Sequence, residues 1–378
     1  MENRTTRRDV LKGAAAAAGA YALASAGCSP AAEIHVGTPK PLTSFPRESS
    51  TLRGHQRLTP EALEAWRSLQ YGMFIHYGGT TFAMSKLPSR PGPLGWYRPS
   101  KLDVGSWVSV ARDAGMKYAI LTAKHCSNFC LWPGKLNRNH VLNSPVPVDV
   151  MGQFVAACRR CGLMPGFYYS GESAEDFGDT PCTITDKAAR YEAYMDYLCG
   201  QLTELMTWYG PIGEVWIDGP NNYTPAARRR VYNLAARLQP QAVVAMNADF
   251  QTDGMKTIVK PYTWPTDIVV METALPPFWT LDRFMLGQDV TGEAGAAKEY
   301  FLPCEIATCM DDKPDLLWFG GPHAYVRDAR ELFAMRLLCH QRRANLVFNV
   351  PPTDEGIFRQ DYIDALMKVQ KMWERFNA

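Results

Sequence analysis

The chain has 378 residues, with 40 lysines and arginines against 38 aspartates and glutamates, and a formal net charge of +2. That balance gives no electrostatic footprint for nucleic acid or an anionic membrane surface as partner. Hydrophobic residues at 46% and charged residues at 21% exclude a disordered chain, and 11% aromatics suit either a large core or a site that stacks on sugar faces.

The first elements in chain order are addresses. Thr6-Arg7-Arg8-Asp9-Val10-Leu11-Lys12 reads as a twin-arginine signal, and an apolar stretch over residues 13–26 follows it. Ser25-Ala26-Gly27-Cys28 is similar to a lipoprotein cleavage box, which would leave Cys28 as a lipidated N-terminus. Residues 1–28 are therefore expected to be a signal and residues 29–58, rich in Pro, Ser and Thr, a tether. The expected location is periplasmic or at the cell surface, with a membrane reached only through the lipid. Nine cysteines remain beyond Cys28, and their spacing gives no disulfide framework. Cys158 and Cys161 have metal or redox spacing, but they sit in a helical run and lack a second pair.

From residue 59 to 378 the sequence alternates short apolar runs with amphipathic ones. Strands are expected over residues 71–77, 118–123, 164–170, 214–218, 242–247, 267–272, 301–307 and 345–350. Helices are expected over residues 103–114, 149–161, 186–209, 225–238, 326–343 and 361–376. Eight strands alternating with helices over about 300 residues predict an α/β fold, a (β/α)8 TIM-like barrel. An open doubly wound sheet would place a glycine-rich phosphate loop after the first strand, where the chain instead has Ile75-His76-Tyr77-Gly78.

Barrel chemistry collects at the C-terminal ends of the strands. In order these ends offer His76, His125, Tyr168-Tyr169, Asp218, Asn247, Glu272, Glu305 and Asn349. Polar groups ending apolar strands cost free energy unless they have partners or work to do. The first strand supplies one histidine rather than a His-x-His pair, so no metal is expected, and no cofactor-binding loop is found. What remains is a set of carboxylates amid His, Trp and Tyr, the equipment of a glycoside hydrolase.

At these residues the chain resembles glycoside hydrolase family 29, the α-L-fucosidases. The likeness rests on Tyr71-Gly72-Met73-Phe74-Ile75-His76-Tyr77-Gly78, Leu121-Thr122-Ala123-Lys124-His125, Gly166-Phe167-Tyr168-Tyr169-Ser170, Glu214-Val215-Trp216-Ile217-Asp218-Gly219 and Asn345-Leu346-Val347-Phe348-Asn349-Val350-Pro351-Pro352. The resemblance implies a retaining exo-acting α-L-fucosidase that works by double displacement on fucosylated glycans or polysaccharides. It implies Asp218 as nucleophile and Glu272 as acid/base, with Glu305 as the alternative, because the acid/base position varies between subgroups of the family. It places His76, Trp96, His125, Tyr169 and Trp318 against the sugar.

Three positions depart from the family pattern. Cys126 stands where a second His is usual, Gly95 stands where a Glu precedes the Trp, and no Arg follows Asn247-Ala248-Asp249. No C-terminal β-sandwich is evident in the sequence. These departures keep two other readings open: the same fold acting on a different glycone such as an α-L-galactoside, or a non-catalytic glycan-binding relative.

Overall fold

A computed structural model describes residues 57–83, 94–171, 183–220, 223–247, 265–272, 302–312, 318–321 and 324–378, together with short backbone strands between them. Residues 1–56, with the expected signal, Cys28 and nearly all of the expected tether, lie outside the described residues.

Eight parallel strands form one nearly closed barrel: β1 (Tyr71–Ile75), β2 (Tyr118–Lys124), β3 (Met164–Ser170), β4 (Glu214–Asp218), β5 (Val243–Asn247), β6 (Val269–Glu272), β7 (Cys304–Cys309) and β8 (Asn345–Asn349). Hydrogen-bonded ladders run in the order β6-β7-β8-β1-β2-β3-β4-β5. The gap between β5 and β6 is latched largely by side chains. Asp267 N–H donates to the Val244 carbonyl (2.9 Å), Val244 N–H to Asp267 Oδ2 (2.8 Å) and Met246 N–H to Thr266 Oγ1 (3.2 Å). Tyr232 Oη and the Arg57 guanidinium also bond to the Asp267 carboxylate. The Asp267 carboxylate and the Thr266 hydroxyl thus each satisfy one β5 edge donor that a missing ladder would leave orphaned.

The helices are α1 (Pro60–Arg67), α2 (Val104–Asp113), α3 (Val150–Cys161), α4 (Lys187–Trp208), α5 (Pro225–Leu238), α6 (Ala329–Gln341) and α7 (Gln360–Asn377). Their starts are written in the sequence. Asp103, Asp149, Asp186 and Asp328 accept from first-turn N–H groups of α2, α3, α4 and α6, while Thr59 and Thr224 do the same ahead of Pro60 and Pro225. Each such cap stabilises its helix by about 1 kcal/mol. None of the described helices is long and apolar enough to cross a membrane.

Strand pleating sorts the side chains into two cores. Val215, Ile217, Phe167, Tyr169, Leu121 and Val244 face outward into the layer shared with the helices. Phe74, Ile120, Tyr168, Trp216, Val270 and Val347 face inward. Helix α1 plugs the lower end, where Trp66 Nε1 donates to Glu214 Oε2 (2.9 Å).

Expected and observed strands agree closely except at β7, which begins at Cys304 and ends at Cys309 rather than spanning residues 301–307. Glu305 is thus the second residue of its strand, aligned with Asn345 at the start of β8. It lies in the barrel floor, fully buried. Tyr118 Oη donates to its Oε2 (2.7 Å) and Trp216 Nε1 to its Oε1 (3.1 Å). The close approach of Tyr118 requires glycine at position 72, where a Cβ would sit 2.7 Å from the tyrosine ring. Glu305 and Glu214 form a buried carboxyl pair. Desolvation pushes both above the usual carboxylate range, Glu305 to about 7; Glu305 raises Glu214 further, while the hydrogen bond with Glu214 lowers Glu305.

Between the ordinary value of 4.5 and about 7 the folded chain holds protons at Glu305 that the unfolded chain has released. Stability from this group is fully present below 4.5 and lost as pH rises through about 7. Glu305→Gln keeps a neutral hydrogen-bonding group there. Thermal midpoints measured at pH 5 and pH 8 are expected to differ less in this variant than in wild type, and equal differences would contradict the floor assignment.

Candidate active site at the mouth of the barrel

The upper ends of β1 to β6 and β8 bring seven polar side chains to one rim. His76 follows β1, His125 follows β2, and Tyr168, Asp218, Asn247, Glu272 and Asn349 lie on β3, β4, β5, β6 and β8. Their shared inward direction comes from the same pleat that places Trp216 and Phe74 one layer below.

Asp218 is the hub. Tyr168 Oη donates to its Oδ2 (2.5 Å) and Asn247 Nδ2 to its Oδ1 (2.7 Å). The same Asn247 nitrogen donates to Glu272 Oε1 (2.5 Å). Since one nitrogen reaches both, the two accepting oxygens lie no farther apart than those two bonds laid end to end. That limit on the nearest oxygens is compatible with the carboxyl spacing of about 5–5.5 Å kept by retaining glycosidases. Burial pushes the Asp218 carboxyl up, while Tyr168, Asn247 and the Gly219 N–H pull it down. Glu272 is exposed at the strand end, open to a leaving group or to water.

The histidines form an uncharged wall. Desolvation, with His125 beside it, holds His76 well below the usual imidazole value. Burial and the adjacent Lys124 ammonium push His125 down to about 3. Asn349 Nδ2 donates to the Trp318 carbonyl (2.5 Å), so its Oδ1 is the atom that meets His76 Nδ1 at 2.8 Å. His76 must therefore carry its proton on Nδ1, which leaves Nε2 as an acceptor. The Trp318 ring stacks on His76 at 5.2 Å, His125 stacks on Tyr168 at 5.2 Å, and Phe319 meets both imidazoles edge-on. Flat apolar faces beside neutral acceptors suit a sugar ring, which has C–H faces and hydroxyl edges.

Of the residues predicted from sequence, Asp218, Glu272, His76, His125 and Trp318 are brought together. Tyr169 is not. It points outward, fully buried, with its Oη donating to Gln201 Oε1 (2.7 Å) and the Lys124 ammonium 4.4 Å from its ring centre. Its neighbour Tyr168 occupies the inward position, because adjacent residues of a strand face opposite sides. Glu305 is likewise removed from the mouth to the floor, where its oxygens accept from Tyr118 and Trp216. Trp96 stands on a short turn (Leu94–Trp96) and is 45% exposed, so it is not part of the core. Asn247, Tyr168 and Asn349 were visible only as polar strand ends, and which of two adjacent tyrosines turns inward is fixed by register. Among the described residues no group of three His, Cys, Asp or Glu side chains is placed to hold a metal ion.

Barrel, paired carboxylates and aromatic wall together define a glycoside hydrolase scaffold. Residues 94–290 match the family described as Alpha-L-fucosidase, and the chain belongs to that family, glycoside hydrolase family 29. A putative alpha-L-fucosidase 1 from Oryza sativa subsp. japonica is 36% identical over 318 residues, 80% of this chain and 56% of that protein. Alpha-L-fucosidase 1 from Arabidopsis thaliana is 30% identical over 323 residues, 81% and 58% of the two chains. The chain thus spans a little over half the length of these curated relatives. Among solved structures, alpha-L-fucosidase isoenzyme 1 from Paenibacillus thiaminolyticus superposes with a TM-score of 0.64 at 24% identity, covering 83% of this chain and 75% of that one. The alpha-L-fucosidase AlfC from Lactobacillus casei, solved with its α-L-fucose product, gives 0.61 at 18% identity, over 84% and 99%. Both share the fold.

The two tyrosines separate by experiment. Tyr168→Phe removes a donor from Asp218 and is expected to raise its carboxyl pKa, read by ¹³C NMR titration of labelled aspartate. Tyr169→Phe removes one buried neutral hydrogen bond, costs about 1 kcal/mol of stability and leaves the Asp218 titration unmoved. A shift in Asp218 on the second substitution rather than the first would invert this assignment.

Proposed function

We propose that the chain is a retaining exo-acting α-L-fucosidase. The observation that carries the reading is the Asn247 amide joined to both Asp218 and Glu272, since it sets a spacing fit for double displacement. In the first step an Asp218 oxygen bonds to the anomeric carbon, the glycosidic C–O bond breaks, and the Glu272 proton passes to the leaving oxygen. In the second, Glu272 takes a proton from water, the water oxygen bonds to the anomeric carbon, and the ester bond to Asp218 breaks. His76 and His125 would bind ring hydroxyls as neutral imidazoles, and Trp318 would cover an apolar edge.

Proton NMR of the chain acting on an aryl α-L-fucoside tests the whole reading, with fucose expected first as its α anomer. Asp218→Ala is expected to abolish turnover with the fold intact. Azide is expected to restore turnover to Glu272→Ala on an activated substrate, because an external anion replaces the missing base. Near-full activity of Asp218→Ala, or first release of the β anomer, would refute the mechanism.

A second reading keeps the chemistry and changes the glycone, for example to an α-L-galactoside. It is supported at Gly95, where a Cβ would meet nothing within 4 Å and no side chain contacts a hydroxyl. Release from an aryl α-L-galactoside in preference to the fucoside selects it. The natural substrate class is taken to be fucosylated glycans or polysaccharides, which the chain would meet outside the cytoplasm, anchored through a lipid on Cys28. Cys28→Ala is then expected to move the protein from the membrane fraction to the soluble one, and an unchanged partition would rule the anchor out.

A further inference from the structure

Asn247 ends β5 in parallel register with Asp218 at the end of β4, and it is largely buried. Its single amide nitrogen donates to Asp218 Oδ1 and to Glu272 Oε1. Resting on the retaining reading above, we propose that Asn247 is the positioning residue of the double displacement. It is a neutral bridge whose charge-assisted hydrogen bond passes from the nucleophile to the base as the reaction proceeds.

Two carboxylates sharing a site repel, and that repulsion raises at least one of their pKa values. The reaction needs them in opposite states twice over. Before attack Asp218 must be ionised and Glu272 protonated; in the glycosyl-enzyme Asp218 is a neutral ester and Glu272 must become the base. A lysine or arginine between them would hold both carboxyls ionised and strip the acid of its proton. An amide adds no charge, yet its two N–H groups give each carboxyl one donor. The bond to whichever partner is ionised is the stronger, since charge-assisted hydrogen bonds are roughly twice as strong as neutral ones. The amide does not rotate between steps; only the charge it faces changes sides.

The position of Asn247 has a further effect. β5 and β6 share no regular ladder, and the Asp267 and Thr266 latch bonds β5 at Val244 and Met246, the latter directly before Asn247. The Asn247–Glu272 bond spans the same seam at its upper end. It therefore helps to set how far Glu272 stands from Asp218, a distance that no backbone ladder across this seam fixes.

Asn247→Leu keeps the volume and removes both donors; Asn247→Asp adds a third carboxyl. On an aryl α-L-fucoside, kcat of the leucine variant is expected to fall about 10- to 100-fold, the value of a hydrogen bond to a charged group. KM is expected to change little. Both limbs of the pH profile are expected to move to higher pH, because ionised Asp218 and ionised Glu272 each lose a donor. The aspartate variant is expected to move them further. A residue that merely supports packing would not order the three proteins in this way. Carboxyl ¹³C titration of Asp218 and Glu272 gives the same reading without turnover, with both values raised in the leucine variant. Unmoved limbs and titrations in a folded variant, or a loss confined to KM, would overturn the role of Asn247 while leaving the glycosidase reading intact. A wild type silent on every glycoside would overturn that reading instead, and the titration would still decide whether Asn247 bridges the pair.

Discussion

The pleat of a single strand organises this molecule. β4 turns Glu214, Trp216 and Asp218 into the barrel at successive levels and sends Val215 and Ile217 out toward the helices. The two acidic residues of that strand therefore live in different media. Glu214 is sealed in the floor against Glu305 and Trp66, while Asp218 sits at the rim within reach of solvent-facing Glu272. Trp216 lies between the two levels, with its Nε1 tied down to Glu305 and its ring tilted against Tyr168 at 5.4 Å. Burial pushes both carboxyls up, but Glu305 raises Glu214 further, while three donors around Asp218 oppose the rise. The difference comes from depth and from the number of donors around each group.

The aromatic layer does two tasks at once. It excludes water from beneath Asp218, and it orients the groups beside it. His76 takes its tautomer from Asn349, which takes its own orientation from the Trp318 carbonyl. Trp318 reaches that position with a left-handed backbone (φ 47°), unusual for a bulky residue. Local strain at that residue is offset by the stacking and the hydrogen bond it makes possible.

Much of this was legible in the sequence. The eight strands are short apolar runs, and the helices announce themselves through Asp and Thr caps with Pro behind two of them. Asp218 could be placed because it closes Glu214-Val215-Trp216-Ile217 just before a glycine. Other residues could not be placed, for stated physical reasons. Tyr168 and Tyr169 are identical side chains on opposite faces, and only the register with β4 selects one of them. Glu305 was expected at a strand end because β7 starts later than its apolar run begins, and three residues of offset carry a side chain from one end of a barrel to the other. Asn247 ends its strand as an uncharged amide, and its importance lies in two partners that come from different strands.

The unladdered seam between β5 and β6 has an evolutionary consequence. The strands β7, β8, β1, β2, β3 and β4 are locked to both neighbours by backbone register, whereas β5 and β6 are each locked on one side. β6 is locked on one side alone, to β7, and meets β5 through side chains. A handful of substitutions at Thr266, Asp267 or Asn247 could re-space its tip without disturbing the remaining ladders. The residue carried there, Glu272, is the carboxyl proposed as acid/base, while Asp218 stands on a strand fixed from both sides. On the proposed roles, the nucleophile is held in place by the sheet itself, and the proton donor stands on the strand whose tip is the easier to re-space.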